Sequence, residues 1–484
     1  MLTKSSDFLQ EYCATVVRIG AIIPIEGSDF LGSTLVNGFP IIVRKDMISE
    51  GDVMIYCPIE TQLNSDFLSA NNLYEFSLRH MNSNYKAVEA AIEQDGLEIA
   101  KRMVGFFNKY GRVRILKLRG QASMGFLVNP ENIKDWIGSP LSSFDFAQYV
   151  GEDFDTVNGE QFIQVYIPPR KPQPEKYTKD QRRQRRIEKI SRMIPGEFSF
   201  HYDTQQLNRN MHRFNLDDQV DISVKMHGTS ICLGNVLVKK PKQYKCKLIN
   251  WLHSKLPLKW QTLEPGYDVV YSSRTVIKNA DLNDTLNPDG GYYGTDVWAD
   301  YAKLFGPCIP EGMEIFGEIV GYVTGTQTAI QKGYDYGCKP GENKLYIYRI
   351  RTKEESGIHR EWELREIRNF LQFATILYPE IIGKVDVVPV LYSGTLMDLY
   401  PEISTDHHWH ENILAALKQE SAFGMEELEP LCNNKTPREG IVLRIIGDPV
   451  AEAFKLKCIS FLEAECRQID KGEIDIELKQ SYSK

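Results

Sequence analysis

The stretch VKMHGTSICLG (224–234) sets one lysine, Lys225, between two strand-like runs. DISV precedes it and ICLGNVLV follows it, both apolar in the main and broken only by turn residues. His227 and Gly228 mark a tight turn directly after the lysine. A lysine so placed is either a surface residue on an edge strand or a buried amine tuned for nucleophilic attack. The rest of the chain decides between these.

Further along, charged residues recur on strand-like segments: YSSRTVIK (271–278), MEIFGEIVGY (313–322), NKLYIYRI (343–350), REGIVLRI (438–445) and EAFKLK (452–457). Glu318 and Glu439 have apolar neighbours, and a carboxylate on a largely buried strand needs a reason to be there. Lys455 and Lys457 are two apart and share one strand face. A reactive lysine, two carboxylates, two further lysines and an arginine suit a nucleoside triphosphate. The Lys225 amine would attack the α-phosphorus, and the other cations would neutralise charge developing on the phosphates. Glu318 and Glu439 would hold a divalent metal. Metal and cations together would depress the lysine pKa, so that it attacks as a neutral amine.

These residues resemble the ordered motifs of the covalent nucleotidyltransferases, the superfamily of RNA ligases, DNA ligases and mRNA capping enzymes. KMHGTS is similar to motif I, SSR (272–274) to the ribose-contacting arginine segment, FGEIVG to motif III, KLYIYRI to motif IIIa, EGIVLR to motif IV and FKLK to motif V. Any one alone is weak; their order is specific. His227, where DNA ligases usually show Asp, resembles the RNA-sealing branch. IGAIIPIEGSDF, KLRGQASMGFL and IQKGYDYG resemble the fifth RNA ligase family, which carries an N-terminal OB domain.

The resemblance implies an ATP-dependent RNA ligase. Lys225 takes AMP from ATP, AMP passes to an RNA 5′-phosphate, and a 3′-OH displaces it, with two magnesium or manganese ions. It implies that Val224, Met226, His227 and Gly228 line the nucleotide around the nucleophile. Arg274 contacts ribose or α-phosphate, Glu318 and Glu439 organise metal and ribose, and Lys455 and Lys457 contact phosphates. Tyr346 or Tyr348 stacks on adenine, with Tyr346 favoured. Val224, Ser230 and Arg444 depart from residues common in RNA-sealing relatives, which bears on substrate preference. The basic, aromatic stretch 239–261 looks like an insertion, and either touches RNA or forms a surface lobe.

Composition sets the frame. The chain has 484 residues, 42% hydrophobic and 25% charged, enough for two or three domains. A net charge of −8 excludes a uniformly basic nucleic-acid binder, although ten Lys/Arg stand against three Asp/Glu from Arg170 to Arg192. The nine cysteines show no CxxC pair and no zinc spacing, so reduced, mostly buried thiols are expected. No apolar run approaches the roughly 20 residues of a membrane span, and MLTKSSDFLQEY has no apolar signal core. A cytoplasmic monomer is expected (in the host cytoplasm if viral).

The expected fold class is α+β. An OB-like RNA-binding β-barrel over 1–150 precedes a basic linker over 151–201. An ATP-grasp-like nucleotidyltransferase domain of antiparallel sheets with flanking helices fills 202–484. In the N-terminal part, YKAVEAAIEQDGLEIAKRMVGFF reads as one helical insert. GRVRILKLRGQASMGFLV reads as two strands joined at Gly120–Ser123, decorated by Arg112, Arg114, Lys117 and Arg119. The basic run Arg182–Arg192 reads as a solvated face or an RNA contact. Asp406–His410 reads as a helix start rather than a metal site, and IQKGYDYG as an ordered loop, structural or beside the site. The substrate expected is RNA with 3′-OH and 5′-phosphate ends, nicked duplex included. The competing readings are a DNA ligase, a GTP-using capping enzyme, or a non-catalytic RNA-binding relic.

Overall fold

The computed structural model describes residues 1–169, 189–201, 204–282, 293–354, 356–403, 409–419, 423, 428–447 and 452–471. Most of the basic run 182–192 and residues 406–408 lie outside them. The chain divides into two units, Met1–Pro169 and Arg170–Lys484.

In the first unit, β1 (Ala14–Arg18) pairs with β4 (Val53–Cys57), which also takes β5 (Phe126–Val128), while β6 (Asp153–Phe154) covers the other edge of β1. β2 (Leu31–Val36) and β3 (Phe39–Arg44) form a separate hairpin, turned by Asn37 and Gly38, both at positive φ. Several small antiparallel sheets result, and none of the described sheets closes on itself. The expected barrel is therefore not formed as a closed sheet. Its strands are present, but the short ones pair in separate groups around separate apolar clusters.

Two local expectations are corrected. The helical insert breaks at Gly96 (φ 91) into α1 (Tyr85–Gln94) and a second helix over Leu97–Arg102. The second hairpin turns at Arg119–Gly120, so Gln121–Ser123 is strand, and Phe126–Val128 leaves to pair with β4. Arg112 does not decorate a surface. It is buried, and its guanidinium donates to both carboxylate oxygens of Glu60 at 2.9 and 2.6 Å.

Among its described residues, the second unit holds two sheets. The five-stranded sheet has the order β7 (Gln205–Gln206), β17 (Ala453–Lys457), β16 (Gly440–Ile445), β8 (Gln219–Lys225), β15 (Val390–Thr395). The other runs β10 (Leu263–Ser272), β9 (Thr229–Pro241), β11 (Met313–Gly321), β12 (Asn343–Lys353), β13 (His359–Glu361), with β14 (Val385–Val387) parallel to β12. One apolar cluster draws on both sheets: Val220, Ile222 and Val224 of β8, Ile441 and Leu443 of β16, Leu456 of β17, and Ile315 and Ile319 of β11. The alternate residues of β8, Asp221, Ser223 and Lys225, lie on the opposite face. All nine cysteines are free thiols. Among the described residues, no helix is long and apolar enough to cross a membrane.

Candidate active site

Lys225 is the last residue of β8, and after a three-residue turn the chain enters β9 in the other sheet. The nucleophile candidate thus sits where the backbone passes from sheet to sheet. Strand register builds its surroundings. Gly440 of β16 lies between Lys225 on one side and Lys457 on the other. One pair further along, Val442 lies between Ser223 and Lys455. Residues in register share a face, so Lys225, Lys455 and Lys457 stand on one surface of this sheet.

Glu439 supplies the anion among these cations. Its Oε1 accepts from Lys225 Nζ at 2.7 Å and lies 4.0 Å from Lys457 Nζ, and its Oε2 is 3.7 Å from His227 Nδ1. Burial pushes the Glu439 carboxyl up, but the charges of Lys225, His227 and Lys457 outweigh it and hold the pKa below the ordinary value. Gly440 fits because a Cβ there would come within 2.1 Å of Leu456 O. Helix α3 (Ile459–Asp470) follows β17 directly. Its Phe461 ring lies 5.1 Å beneath Lys457 Nζ, and its Glu465 accepts from that ammonium at 3.3 Å.

Glu318 lies on β11, opposite Ser230 of β9 and Tyr346 of β12. Its Oε1 accepts the Gly228 N–H at 3.2 Å. Gly228 packs tightly on that strand; a Cβ would sit 2.2 Å from Ile319 O. Tyr346 is buried in the core cluster beside Glu318, and burial pushes its hydroxyl up to about 12. Tyr348 is more open and its hydroxyl lies 2.7 Å from His201 Nδ1. The side chains of Val224 and Met226 are buried in the core cluster. Arg274 lies in the turn after β10, before Val276, whose carbonyl accepts the Ser273 N–H. Buried Arg444 lies opposite Asp221, and its guanidinium donates to Tyr348 O at 3.0 Å.

The loop IQKGYDYG grips the nucleophile turn from both sides. The Tyr336 hydroxyl accepts the His227 N–H at 2.8 Å, and Gln331 Nε2 donates to Gly228 O at 2.7 Å. The Tyr334 hydroxyl donates to Pro437 O at 2.8 Å, two residues before Glu439. The Tyr334 and Phe461 rings meet the His227 imidazole edge-on at 4.7 and 5.0 Å. Tyr336 adopts φ 45, a costly conformation outside glycine. Sequence reasoning left this loop undecided between structure and site. It also missed Trp298 and Lys278. The Trp298 indole donates to Ser230 O at 2.9 Å, Lys278 Nζ lies 4.3 Å over that ring, and burial pushes the Lys278 pKa down. Tyrosines between glycines were the available signal for the loop; Trp298 and Lys278 gave none.

A divalent metal fits these residues in one way. The donors are hard carboxylate oxygens, and buried Glu439 Oε2 accepts no hydrogen bond among the described residues. Among them, too, no group of three or more His, Cys, Asp or Glu is placed to hold an ion. Magnesium-type binding needs only one or two carboxylates, which share the ion with substrate phosphates.

The RNA ligase family's sequence model matches residues 218–457. No curated protein sequence matches the chain. Among solved structures, a lysine-to-alanine variant of the Naegleria gruberi RNA ligase with ATP and Mn aligns over 93% of this chain and 98% of its own, with TM-score 0.52 and 16% identity. A second such variant with the same ligands aligns over 94% and 99%, with TM-score 0.51 and 16% identity. An aspartate-to-alanine variant without ligand gives TM-score 0.52 over 93% and 97%, again at 16% identity. At that identity the likeness shows a shared mixed α+β fold.

Proposed function

We propose that the chain is an ATP-dependent RNA ligase acting through lysyl-AMP on Lys225, a reading that starts from the match of residues 218–457 to the RNA ligase family's model. The observation that carries the reading is the convergence of Lys225, Lys457 and His227 on Glu439 where the two sheets meet.

Lys225 Nζ, as the neutral amine, attacks the α-phosphorus of ATP. A P–N bond forms, the α–β P–O bond breaks and pyrophosphate leaves. AMP then passes to an RNA 5′-phosphate, and an RNA 3′-OH attacks that phosphorus and expels AMP. Glu439 orients the Lys225 side chain through its 2.7 Å hydrogen bond. Lys455 and Lys457 neutralise phosphate charge, with Arg274 at the ribose or α-phosphate. Tyr346 stacks on adenine, with Tyr348 as the alternative. Gly228 keeps the turn close to β11, while Gln331 and Tyr336 fix its backbone. Glu318 and Glu439 would hold Mg²⁺ or Mn²⁺, which supplies charge neutralisation on the phosphates when bound. The Naegleria structures with ATP and Mn support that choice.

The finer reading places the chain in the fifth RNA ligase family. Its N-terminal unit then acts as an OB-like RNA-holding module, and its substrates carry 3′-OH and 5′-phosphate ends, nicked duplex among them. A cytoplasmic monomer completes it. KLRGQASMGFL and IQKGYDYG support that placement.

The test is covalent labelling with α-labelled ATP or GTP and magnesium, wild type beside Lys225→Ala. Acid-stable label from ATP that is absent in the variant is expected. Label from GTP alone would move the chain to the capping branch, and no label from folded protein would overturn the ligase reading.

A further inference from the structure

β9 and β10 form a long hairpin whose tip, residues 239–261, carries helix α2 (Lys247–Ser254). This helix is inverted for a water-facing element. Two of its polar side chains, Asn250 and His253, point inward. The Asn250 amide donates to Gln243 Oε1 at 3.0 Å and accepts the Tyr244 N–H at 3.2 Å, and buried His253 accepts the Thr262 N–H on Nε2 at 2.8 Å. Its apolar side chains point outward. Leu248, Ile249, Trp251 and Leu252 are 64, 50, 57 and 52% exposed, and Leu256 and Trp260 just beyond are 42 and 67% exposed. A helix packed on its own protein ordinarily shows the reverse, and a contiguous exposed apolar patch marks an interaction surface.

Charge narrows what that surface meets. Between the paired strands, residues 242–262 hold five lysines and neither Asp nor Glu, in a chain of net charge −8, while Lys240 on the strand below pairs with Asp268 at 3.8 Å. Lys255 Nζ lies 6.0 Å over the Trp251 ring, and Lys259 Nζ 5.9 Å over Trp260. Cations therefore border the apolar patch directly. An RNA strand would use the lysines and tryptophans but has nothing for four exposed aliphatic side chains, which cannot stack on bases. Leucine and tryptophan on one face, with lysine at its border, is the pattern of a helix lying in a bilayer interface.

We propose that this tip anchors the protein on an anionic lipid surface. The leucines and tryptophans enter the interfacial layer and the lysines meet the acidic head groups. Nothing in this inference depends on the ligase reading.

The test is co-sedimentation of the full chain with vesicles of phosphatidylcholine alone, or mixed with phosphatidylserine, at low and physiological salt. Wild type should sediment with the acidic vesicles only, and less at higher salt. The double variant L248E/W251E should lose more than about tenfold in partitioning, and Lys255→Ala or Lys259→Ala about fivefold each. Melting temperature and Lys225 labelling should be unchanged in all. Failure of wild type to bind acidic vesicles, or equal binding by the double variant, overturns the proposal. So does either of two other results: the variant losing affinity for an RNA oligonucleotide while vesicle binding persists, or wild type dimerising without lipid while the variant does not.

Discussion

Lys225 and Lys457 flank Gly440 on neighbouring strands and converge on one oxygen, Glu439 Oε1, at 2.7 and 4.0 Å. Two ammonium groups can sit this close only with an anion between them. The strand register sets the distance, and the glycine leaves the space.

Glu439 should therefore stabilise the fold in a pH-dependent way. Its folded pKa lies below the ordinary 4.5. A depressed carboxylate contributes stability above its unfolded value and loses it as pH falls through the folded one. Glu439→Gln should cost about 2 kcal/mol at neutral pH. In urea unfolding, the gap between wild type and variant should close as pH drops below 4.5. A constant gap would mean that the carboxylate's charge is irrelevant.

Gly440→Ala should be far more damaging than Gly447→Ala, although both glycines have positive φ. At 440 the new methyl meets Leu456 O at 2.1 Å, whereas nothing lies within 4 Å at 447. The first should cost at least about 2 kcal/mol and the second about 1 kcal/mol. Lys225 labelling should fall only in the first. Denaturant midpoints and labelling rates check both.

Tyr336→Phe should slow adenylylation while leaving the KM for ATP near its wild-type value. It removes the acceptor of the His227 N–H and leaves that donor buried, worth about 1–2 kcal/mol. If that energy holds the reacting geometry, the rate falls about tenfold. Gln331→Leu should act alike through Gly228 O. Single-turnover labelling separates rate from affinity, and a pure KM effect would show that the loop only shapes the nucleotide pocket.

One thiol should react first. Cys246 is exposed. Burial pushes Cys232 up to about 12 and Cys308 and Cys432 up to about 11. Maleimide at mildly alkaline pH should therefore label native protein once, and Cys246→Ser should remove that label. Simultaneous labelling of several thiols would contradict the packing around the buried set.

The site was legible where chemistry lies in local pattern. Lys225, Glu439 and Lys457 announce themselves as charges in apolar strands, and period-two alternation put Lys455 and Lys457 on one face. Register was not legible. Nothing in REGIVLR says that Gly440 will stand between two lysines more than 200 residues apart in sequence. The loop contacts of Gln331 and Tyr336 with the nucleophile turn span 103 and 109 residues, beyond any local signal. Part of the N-terminal strand set was legible in the sequence, but the partners were not, because Phe126–Val128 reaches back to Val53–Cys57 for its pairing. The insertion 239–261 stood out by composition, yet only the bonds of Asn250 and His253 reveal which way its helix faces.

The shared carboxylate has a consequence for the order of events. On the proposed mechanism, once AMP is joined to Lys225 its nitrogen carries no positive charge and no longer balances Glu439, while the bound phosphate keeps one negative charge. Lys457, at 4.0 Å, is the lysine left to balance Glu439. On that reading the covalent step changes the charge balance of the site: an anion that served the attacking amine before transfer is released to the second lysine after it. The adenylylated enzyme would then be, electrostatically, a different protein from the one that bound ATP.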